Sequence, residues 1–552
     1  MNHAPWLKTY AANNIPASIN ADAYPSVVHM MEEAMAQYAD QPAFCAFGQT
    51  LSYADVDRQS AAFAAWLQQR LGVQKGDRIA VMVPNFIAFP IVFLGIARAG
   101  AVQVNVNPLY TPRELAHQLK DSGSETIVIF NGATPILAEA MAATDIRNVV
   151  TVSPSDGTPA ALPSPAVDAR LTHTTSLADA LAQGASVQRT PVSLTGQDLL
   201  FLQYTGGTTG LSKGAALTHR NLVANVAQYK AIVPSAVRPG QEVVVTAIPL
   251  YHIFALMVNF LTYFTVGAKN WLVANPRDMD GFVEVLKQSR PSVFMGVNTL
   301  YAGLSMHPRI GEVDFSNLRL SGGGGAAVLG PTSDRWKAIT GTFIREGYGL
   351  SETSPIVSFN PASIQDFSGT TGPPLPDTDV KLLDESGQEV ALGESGEVCV
   401  KGPQVMQGYW NQPEANAAAF TPDGYFRTGD VGVITPEGFL RIVDRKKDMV
   451  IVSGFNVFPN EIEAVATGCP GVAECACVGV PDEKTGEALK LFVVRAPGSS
   501  LTSDALVAHC RAALTAYKVP KLVAFVDALP KSTVGKILRR ELRDANSGKV
   551  SP

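Results

Sequence analysis

Between the apolar run Asp198–Gln203 (DLLFLQ) and a helical pattern opening near His219 stands YTGGTTGLSKGA, Tyr204–Ala215. No other stretch constrains the chain as tightly. Its glycines let successive backbone N–H groups turn inward toward an anion, a path that side chains would obstruct. Thr205, Thr208, Thr209 and Ser212 add hydroxyl donors, and Lys213 adds a positive charge. The pattern reads as a strand, a pyrophosphate or triphosphate cradle, then a helix; the competing reading is an ordinary Gly/Thr loop. It is not a GxxxxGK[ST] loop, because Ser212 precedes the lysine and Gly214 follows it.

The flanking chain supplies a sheet to carry such a cradle. Short apolar runs at Arg78–Val83, Ala101–Asn105, Leu199–Tyr204, Glu242–Ile248 and Ser292–Gly296 alternate with helical patterns such as Pro25–Tyr38. That order predicts an α/β class with helices layered on a sheet. From Ser153 to Thr195 the composition turns to Ala, Pro, Ser and Thr, which reads as a weakly structured connector. A short strand is expected at Leu318–Leu320, and Gly- and Pro-punctuated runs from Val380 to Tyr409 predict hairpins of a small β subdomain. After DRKKD, Asp444–Asp448, the pattern restarts with strands at Val450–Val452 and Leu489–Val494 and helices at Asn460–Ala466 and Ser503–Leu514. The expected division is a large N-terminal domain, 1–446, and a small α/β domain, 447–552.

Composition removes several classes of function. With 46% apolar and 17% charged residues, the 552-residue chain has material for sizeable cores and is not a disordered chain. A formal charge of −6 and a pI near 5.8 give no global basic field, which argues against a nucleic-acid binder. The six cysteines form no CxxC pair and have no zinc spacing with histidine, a usage that suits a reducing cytoplasm. The first residues lack the basic and apolar regions of a signal peptide. The longest uncharged apolar run, Ile253–Ala268, has 16 residues, short of the roughly 20 that span a bilayer. The expected location is cytoplasmic.

Three more segments carry chemistry. EGYGLSETSP, Glu346–Pro355, follows the glycine run Gly322–Gly325. Bare backbone there admits a flat ring, on which Tyr348 would stack, while Ser351 and Glu352 set a hydroxyl beside a carboxylate. A carboxylate near a phosphate cradle suits Mg²⁺; the alternative is a tight turn with a surface Glu. In YFRTGDVG, Asp430 would accept ribose hydroxyls, or it is simply a turn former. In PKSTVGKILRREL, Lys536 stands before Arg539 and Arg540, either delivering charge to a transition state or decorating a solvated basic helix.

Taken in order, the Thr/Gly/Lys loop, YGLSE, RTGD, DRKKD with SGFNVFPNEIE, and the final GK resemble the adenylate-forming superfamily of acyl-CoA synthetases, luciferases and peptide-synthetase adenylation domains. PLYHIFAL, NPRDM, GVNTL, KGPQVMQGYW and YKVPK resemble bacterial long-chain fatty-acid–CoA ligases within it. The resemblance implies ATP-dependent formation of an acyl-adenylate with release of pyrophosphate, then transfer to CoA. It implies that Thr205, Gly206, Gly207, Thr208, Thr209, Gly210 and Lys213 hold the β- and γ-phosphates. Gly323, Gly324, Gly325, Tyr348 and Gly349 would frame the adenine, Ser351 the α-phosphate, Glu352 the Mg²⁺, and Asp430 and Arg445 the ribose. Lys536 would bridge the acyl carboxylate and α-phosphate, with Lys447 as the hinge of a mobile C-terminal domain. Ser453, Gly454 and Phe455 would meet CoA. His252 would line the path between carboxylate and CoA, or be a satisfied core histidine. The apolar run after it would be a helix walling the acyl tunnel, a simple core helix or a membrane-touching segment. Relatives often carry Pro where this chain has Ser212 and Asn298, which bears on loop rigidity and pocket shape.

Rival readings are a fatty-acyl-AMP ligase loading a carrier protein, a medium-chain or aryl acid–CoA ligase, a luciferase-type oxidase and a non-enzymatic nucleotide-binding regulator. An acid that partitions into lipid leaves open a peripheral contact with the inner face of the membrane. Monomer and homodimer are both open.

Overall fold

The computed structural model describes residues 4–205, 212–482, 484–532 and 535–546. Among them the chain builds two large sheets, one small antiparallel sheet and one terminal sheet. The first, of seven strands, runs in the order Thr174–Ser176, Asn148–Val152, Thr126–Phe130, Arg78–Met82, Val102–Asn105, Leu199–Thr205, Lys213–Thr218. All neighbours in it are parallel except the last pair. The second, of eight strands, has the parallel run Leu320–Gly323, Val293–Gly296, Val243–Thr246, Lys269–Leu272 and Pro42–Ala46 at its centre. Strand Ile344–Gly349 lies parallel beside Leu320–Gly323.

Arg78–Met82, Thr126–Phe130, Asn148–Val152 and Val243–Thr246 are runs dominated by β-branched and aliphatic residues and are almost wholly buried, as strands covered on both faces are. Helix Ala88–Arg98 is buried along its whole length, and so is the π-helical turn Ala255–Thr262. A ring cluster joins the sheets through these elements. Phe93 stacks on Phe201 of the first sheet, Phe260 packs edge-on against both Phe93 and Phe44, and Phe44 belongs to the second sheet. Asn259 is fully buried within the turn, and its side-chain amide donates to Thr246 Oγ1 at 3.1 Å. The apolar run is therefore a core element, and no helix among the described residues is long and apolar enough to cross a membrane.

The stretch Ser153–Thr195 is more ordered than its composition suggests. It contributes strand Thr174–Ser176 to the edge of the first sheet and helix Leu177–Gly184. Ser176 caps that helix by accepting the Asp179 amide, and its Leu177 and Ala180 are buried. The expected strand at Leu318–Leu320 instead spans Leu320–Gly323, so Gly322 and Gly323 are strand residues. Their missing side chains let Met295, Val328 and Ile344 pack directly on the backbone.

The small sheet is antiparallel, Asp379–Leu383, Ser395–Lys401, Phe426–Ile434 and Leu440–Arg445 in order. From Arg445 the chain crosses four residues and enters the terminal sheet at Val450–Val452, whose long hairpin is Val472–Asp482 with Gly486–Arg495. Helices Pro459–Thr467 and Ser503–Ala513 cover one of its faces with Ile462, Ala466, Leu506 and Cys510. The architecture is the expected one, layered α/β in a large N-terminal domain and a smaller α/β unit after it. All six cysteines are buried and free.

Candidate active site

Just beyond the carboxyl end of strand Val293–Gly296, Thr299 meets Gly535 of the terminal unit, and the carboxyl ends of parallel strands are the place where open α/β sheets present ligands. Strand Ile344–Gly349 delivers Tyr348, and its hydroxyl donates to Asp430 Oδ2 at 2.7 Å. Asp430 sits inside strand Phe426–Ile434 rather than in a turn, directly opposite Arg445 in the ladder. The Arg445 Nε lies 3.5 Å from Asp430 Oδ1. A cleft of about 350 Å³ opens here, lined by Thr428, Gly429, Asp430, Arg445, Lys446 and Lys447. A larger hollow of about 430 Å³ lies by Val243, Arg290 and Asn317, at the amino ends of the second sheet's strands and away from these groups.

Lys536 projects toward this cleft from the terminal unit. Its backbone is fixed by a reciprocal pair, with the Ser532 N–H donating to its carbonyl at 2.7 Å and its own N–H donating to Ser532 Oγ at 3.1 Å. Just before it, the Gly535 carbonyl accepts the Thr299 hydroxyl at 3.1 Å, so the lysine loop touches the N-terminal domain. A Cβ on Gly535 would stand 2.6 Å from that hydroxyl, at a φ of +77°. Burial, followed by the Arg445 guanidinium, brings Lys536 down to about 7, with Asp430 opposing. Lys447 is lowered to about 8 by burial and then Arg445.

His252 faces the same lysine. Burial lowers it to about 4, and Lys536 pushes in the same direction, so it is a neutral imidazole near pH 7. Its Nδ1 accepts the Phe254 N–H at 3.2 Å. The preceding backbone is held by a buried amide chain in which Gln203 donates to the Tyr251 carbonyl, Asn105 to Gln203, and Gln103 to Asn105. Asn85 adds two bonds, to the Thr246 and Ile248 carbonyls. None of these amides stands in a motif; three buried amide side chains in apolar strands, and Asn85 a few residues past one, are their only trace in the sequence.

Glu352 occupies a 3₁₀ turn, Ser351–Thr353, and is buried, contrary to the surface-turn alternative. Burial raises its pKa, and the Tyr409 hydroxyl, donating to Oε1 at 2.8 Å, favours the charged form. Gly324 lies where a Cβ would come within 3.3 Å of the Gly347 carbonyl and 3.6 Å of the Phe254 ring. Gly325 has a φ of +77°, which a β-carbon would strain. Gly323 and Gly349 are also walled in, the latter 2.0 Å from the Pro355 carbonyl at its hypothetical Cβ. Beneath them Glu346 is buried, accepts the Val328 N–H at 2.9 Å and is raised to about 8 by burial. Sequence reading did not single it out.

Thr205 ends its strand opposite Lys213, which begins the next one. Gly206, Gly207, Thr208, Thr209 and Gly210 lie outside the described residues. Ser453 and Gly454 form the two-residue turn of a hairpin, with φ of +52° and +83°. Phe455 is exposed and stacks on Tyr517 at 4.7 Å. None of the three is among the residues lining the cleft at Asp430 and Arg445.

The basic helix Arg539–Asn546 is only partly solvated. Arg539 enters a carboxylate cage, donating to Glu463 Oε2 at 2.7 Å and reaching Asp444 Oδ1 at 3.4 Å, while Arg540 stays exposed. Arg543 pairs with Asp448 at 2.9 Å. The Asn460 N–H donates to Asp444 Oδ2 at 2.9 Å, and its side chain donates to the Val443 carbonyl. The unit that carries Lys536 is thereby tied to the strand that ends in Arg445.

Residues 31–410 match the family described as AMP-binding enzyme, and residues 461–536 match the AMP-binding enzyme C-terminal domain. The chain belongs to the AMP-binding enzyme family. It is similar to a long-chain-fatty-acid–CoA ligase of Salmonella typhimurium, at 49% identity over 99% of both chains. It is also similar to the structure of ATP-bound MatB from Rhodopseudomonas palustris, at 31% identity and a TM-score of 0.80, covering 94% of this chain and 98% of that one. The fold is shared with an anthranilate CoA ligase solved with anthranoyl-AMP, at a TM-score of 0.87 over 96% and 99% of the two chains and 24% identity. The cleft at Asp430 and Arg445 thus sits between the segments matched to the AMP-binding enzyme and to its C-terminal domain.

Proposed function

We propose that this protein is a long-chain fatty-acid–CoA ligase that forms an acyl-adenylate from ATP and a fatty acid, releases pyrophosphate, and passes the acyl group to CoA with release of AMP. The carrying observation is the meeting of Lys536, Asp430, Arg445, Tyr348 and His252 at one junction in a chain 49% identical to such ligases over its length.

Both reactants of the first step are anions, so the obstacle is charge repulsion and alignment. A carboxylate oxygen attacks the α-phosphorus as the bond to pyrophosphate breaks. In our reading Lys536 neutralises the charge gathered between carboxylate and α-phosphate, and Ser351 contacts that phosphate. Tyr348 packs on adenine against Gly323, Gly324, Gly325 and Gly349, while Asp430 and Arg445 take the ribose. The segment Thr205–Lys213 takes the β- and γ-phosphates.

Among the described residues no group of three or more Asp, Glu, His or Cys side chains stands ready to hold a metal unaided. A single buried carboxylate, Glu352, beside polyphosphate fits Mg²⁺, which is commonly held by one or two carboxylates with phosphate and water. When bound, the ion would offset charge on the phosphates.

In the second step the CoA sulfur attacks the acyl carbon and AMP departs. Rotation about Lys447 would withdraw Lys536 and bring in Ser453, Gly454 and Phe455, so residues 447–552 act as the mobile domain. Neutral His252 lies on the path between the two geometries. The substrate's affinity for lipid supports a peripheral contact with the membrane; co-sedimentation with vesicles tests it, and sedimentation velocity tests for a homodimer.

Mass spectrometry of the protein with palmitate, ATP and Mg²⁺, with and without CoA, tests the reading. Palmitoyl-CoA is expected with CoA, and enzyme-bound palmitoyl-AMP alone without it. Palmitoyl-AMP under both conditions would instead indicate a carrier-loading enzyme.

A further inference from the structure

Tyr409 lies between two charged groups, Glu352 and Lys213, one of each sign. Its hydroxyl donates to Glu352 Oε1 at 2.8 Å, and the Lys213 ammonium stands 5.2 Å from its ring centroid, within range of a cation–π contact. The ring is fixed from the backbone outward. The Tyr409 N–H donates to Asn416 Oδ1 at 2.6 Å, and the Asn416 amide returns a bond to the Tyr409 carbonyl at 2.9 Å. Its neighbours splice onto strand Lys213–Thr218, with Trp410 donating to Gly214 and Ala216 to Gly408. Met406 donates to the carbonyl of Glu352 itself at 2.8 Å. The segment Met406–Trp410 therefore joins the strand that follows the cradle to the turn that carries the carboxylate.

We propose that Tyr409 is a positioning residue of the triphosphate site. It fixes the Glu352 carboxylate by its hydroxyl and steadies the Lys213 ammonium by its ring, so that the metal-facing and phosphate-facing charges keep one spacing. This rests on the reading that Glu352 faces Mg²⁺ and Lys213 the phosphates. A buried carboxylate with one oxygen engaged cannot turn freely, and a lysine over a ring loses part of its conformational range. Tyr409 touches no reacting atom.

The hydroxyl and the ring are separable by substitution, and ATP binding without any acid present reads them without turnover. Calorimetric titration of ATP into the full-length protein, in Mg²⁺ and in EDTA, is the experiment, with thermal melting to verify each variant's fold. Tyr409→Phe keeps the ring and loses the hydroxyl. It should bind ATP about tenfold more weakly in Mg²⁺, as expected for a lost hydrogen bond to a charged group, and normally in EDTA. Tyr409→Leu should bind more weakly in both, because the Lys213 contact is lost as well. Glu352→Gln is the control for the underlying reading and should abolish the gain that Mg²⁺ brings.

Tyr409→Phe equal to wild type in both buffers, or weakened equally in both, overturns the inference while Glu352→Gln leaves the metal reading standing. If Glu352→Gln retains the full Mg²⁺ gain, the metal reading and the role of Tyr409 fall together.

Discussion

The Tyr348 hydroxyl donates to Asp430 across 82 positions of sequence, at 2.7 Å, and so clamps the eight-stranded sheet to the small antiparallel sheet. Asp430 is thus shared between Tyr348 and Arg445, and in the proposed mechanism it also accepts the ribose of the nucleotide. Replacing it with Ala would remove the proposed ribose acceptor and leave the Tyr348 hydroxyl without this partner. KM for ATP should rise about tenfold or more, with a smaller change for CoA, as read by steady-state titration of each substrate.

Lys536→Ala should depress adenylate formation about a hundredfold or more, as loss of a transition-state charge contact does. Thioester formation from supplied acyl-adenylate should persist, because the proposed rotation withdraws the lysine from the cleft for that step. Rapid-quench assays of the separate half-reactions measure both rates. Equal losses in the two would remove Lys536 from the assigned role.

Lys536 also predicts a proton signature. With its pKa lowered to about 7, the lysine is charged below that pH and mostly neutral at pH 8 in the free protein. An anionic adenylate favours the charged form and raises the pKa. Binding of a non-reactive acyl-adenylate analogue at pH 8 should therefore take up a proton, and binding at pH 6 should not. Calorimetry in buffers of different ionisation enthalpy detects the difference, which Lys536→Met should erase.

Arg539 is the counter-charge for two buried carboxylates, Asp444 and Glu463. Arg539→Met leaves them uncompensated and should cost about 3 kcal/mol, at the low end for a broken buried pair. Hydrogen exchange should show the loss in Pro459–Thr467 and Arg539–Asn546 before it reaches the large sheets.

The α/β class and the order of elements were legible because apolar runs and glycine punctuation mark strands and turns locally. Asp430 shows where local reading stops. Its Gly neighbour suggests a turn, yet Arg445 opposite it continues the ladder, and pairing across a hairpin is not encoded at one position. The segment Ser153–Thr195 misleads for a similar reason, since its polar composition conceals an edge strand and a capped helix stabilised by tertiary contact. Tyr409, Glu346 and the amides around Tyr251 escape entirely, because each acquires meaning from a partner distant in sequence. Arg539 and Arg540 are adjacent and chemically identical, and only the fold decides that the first is caged and the second exposed.

The phenylalanine cluster that joins the two large sheets has a bearing on how such a protein can diverge. Phe44, Phe93, Phe201 and Phe260 come from four separate elements, and all four are fully buried. A change of volume at one ring is felt by the next, so substitutions there will be non-additive and tolerated chiefly in compensating pairs. Natural drift should accordingly spare the seam and accumulate on the covering helices. A library that randomises these rings jointly should recover folded variants that single-site libraries miss.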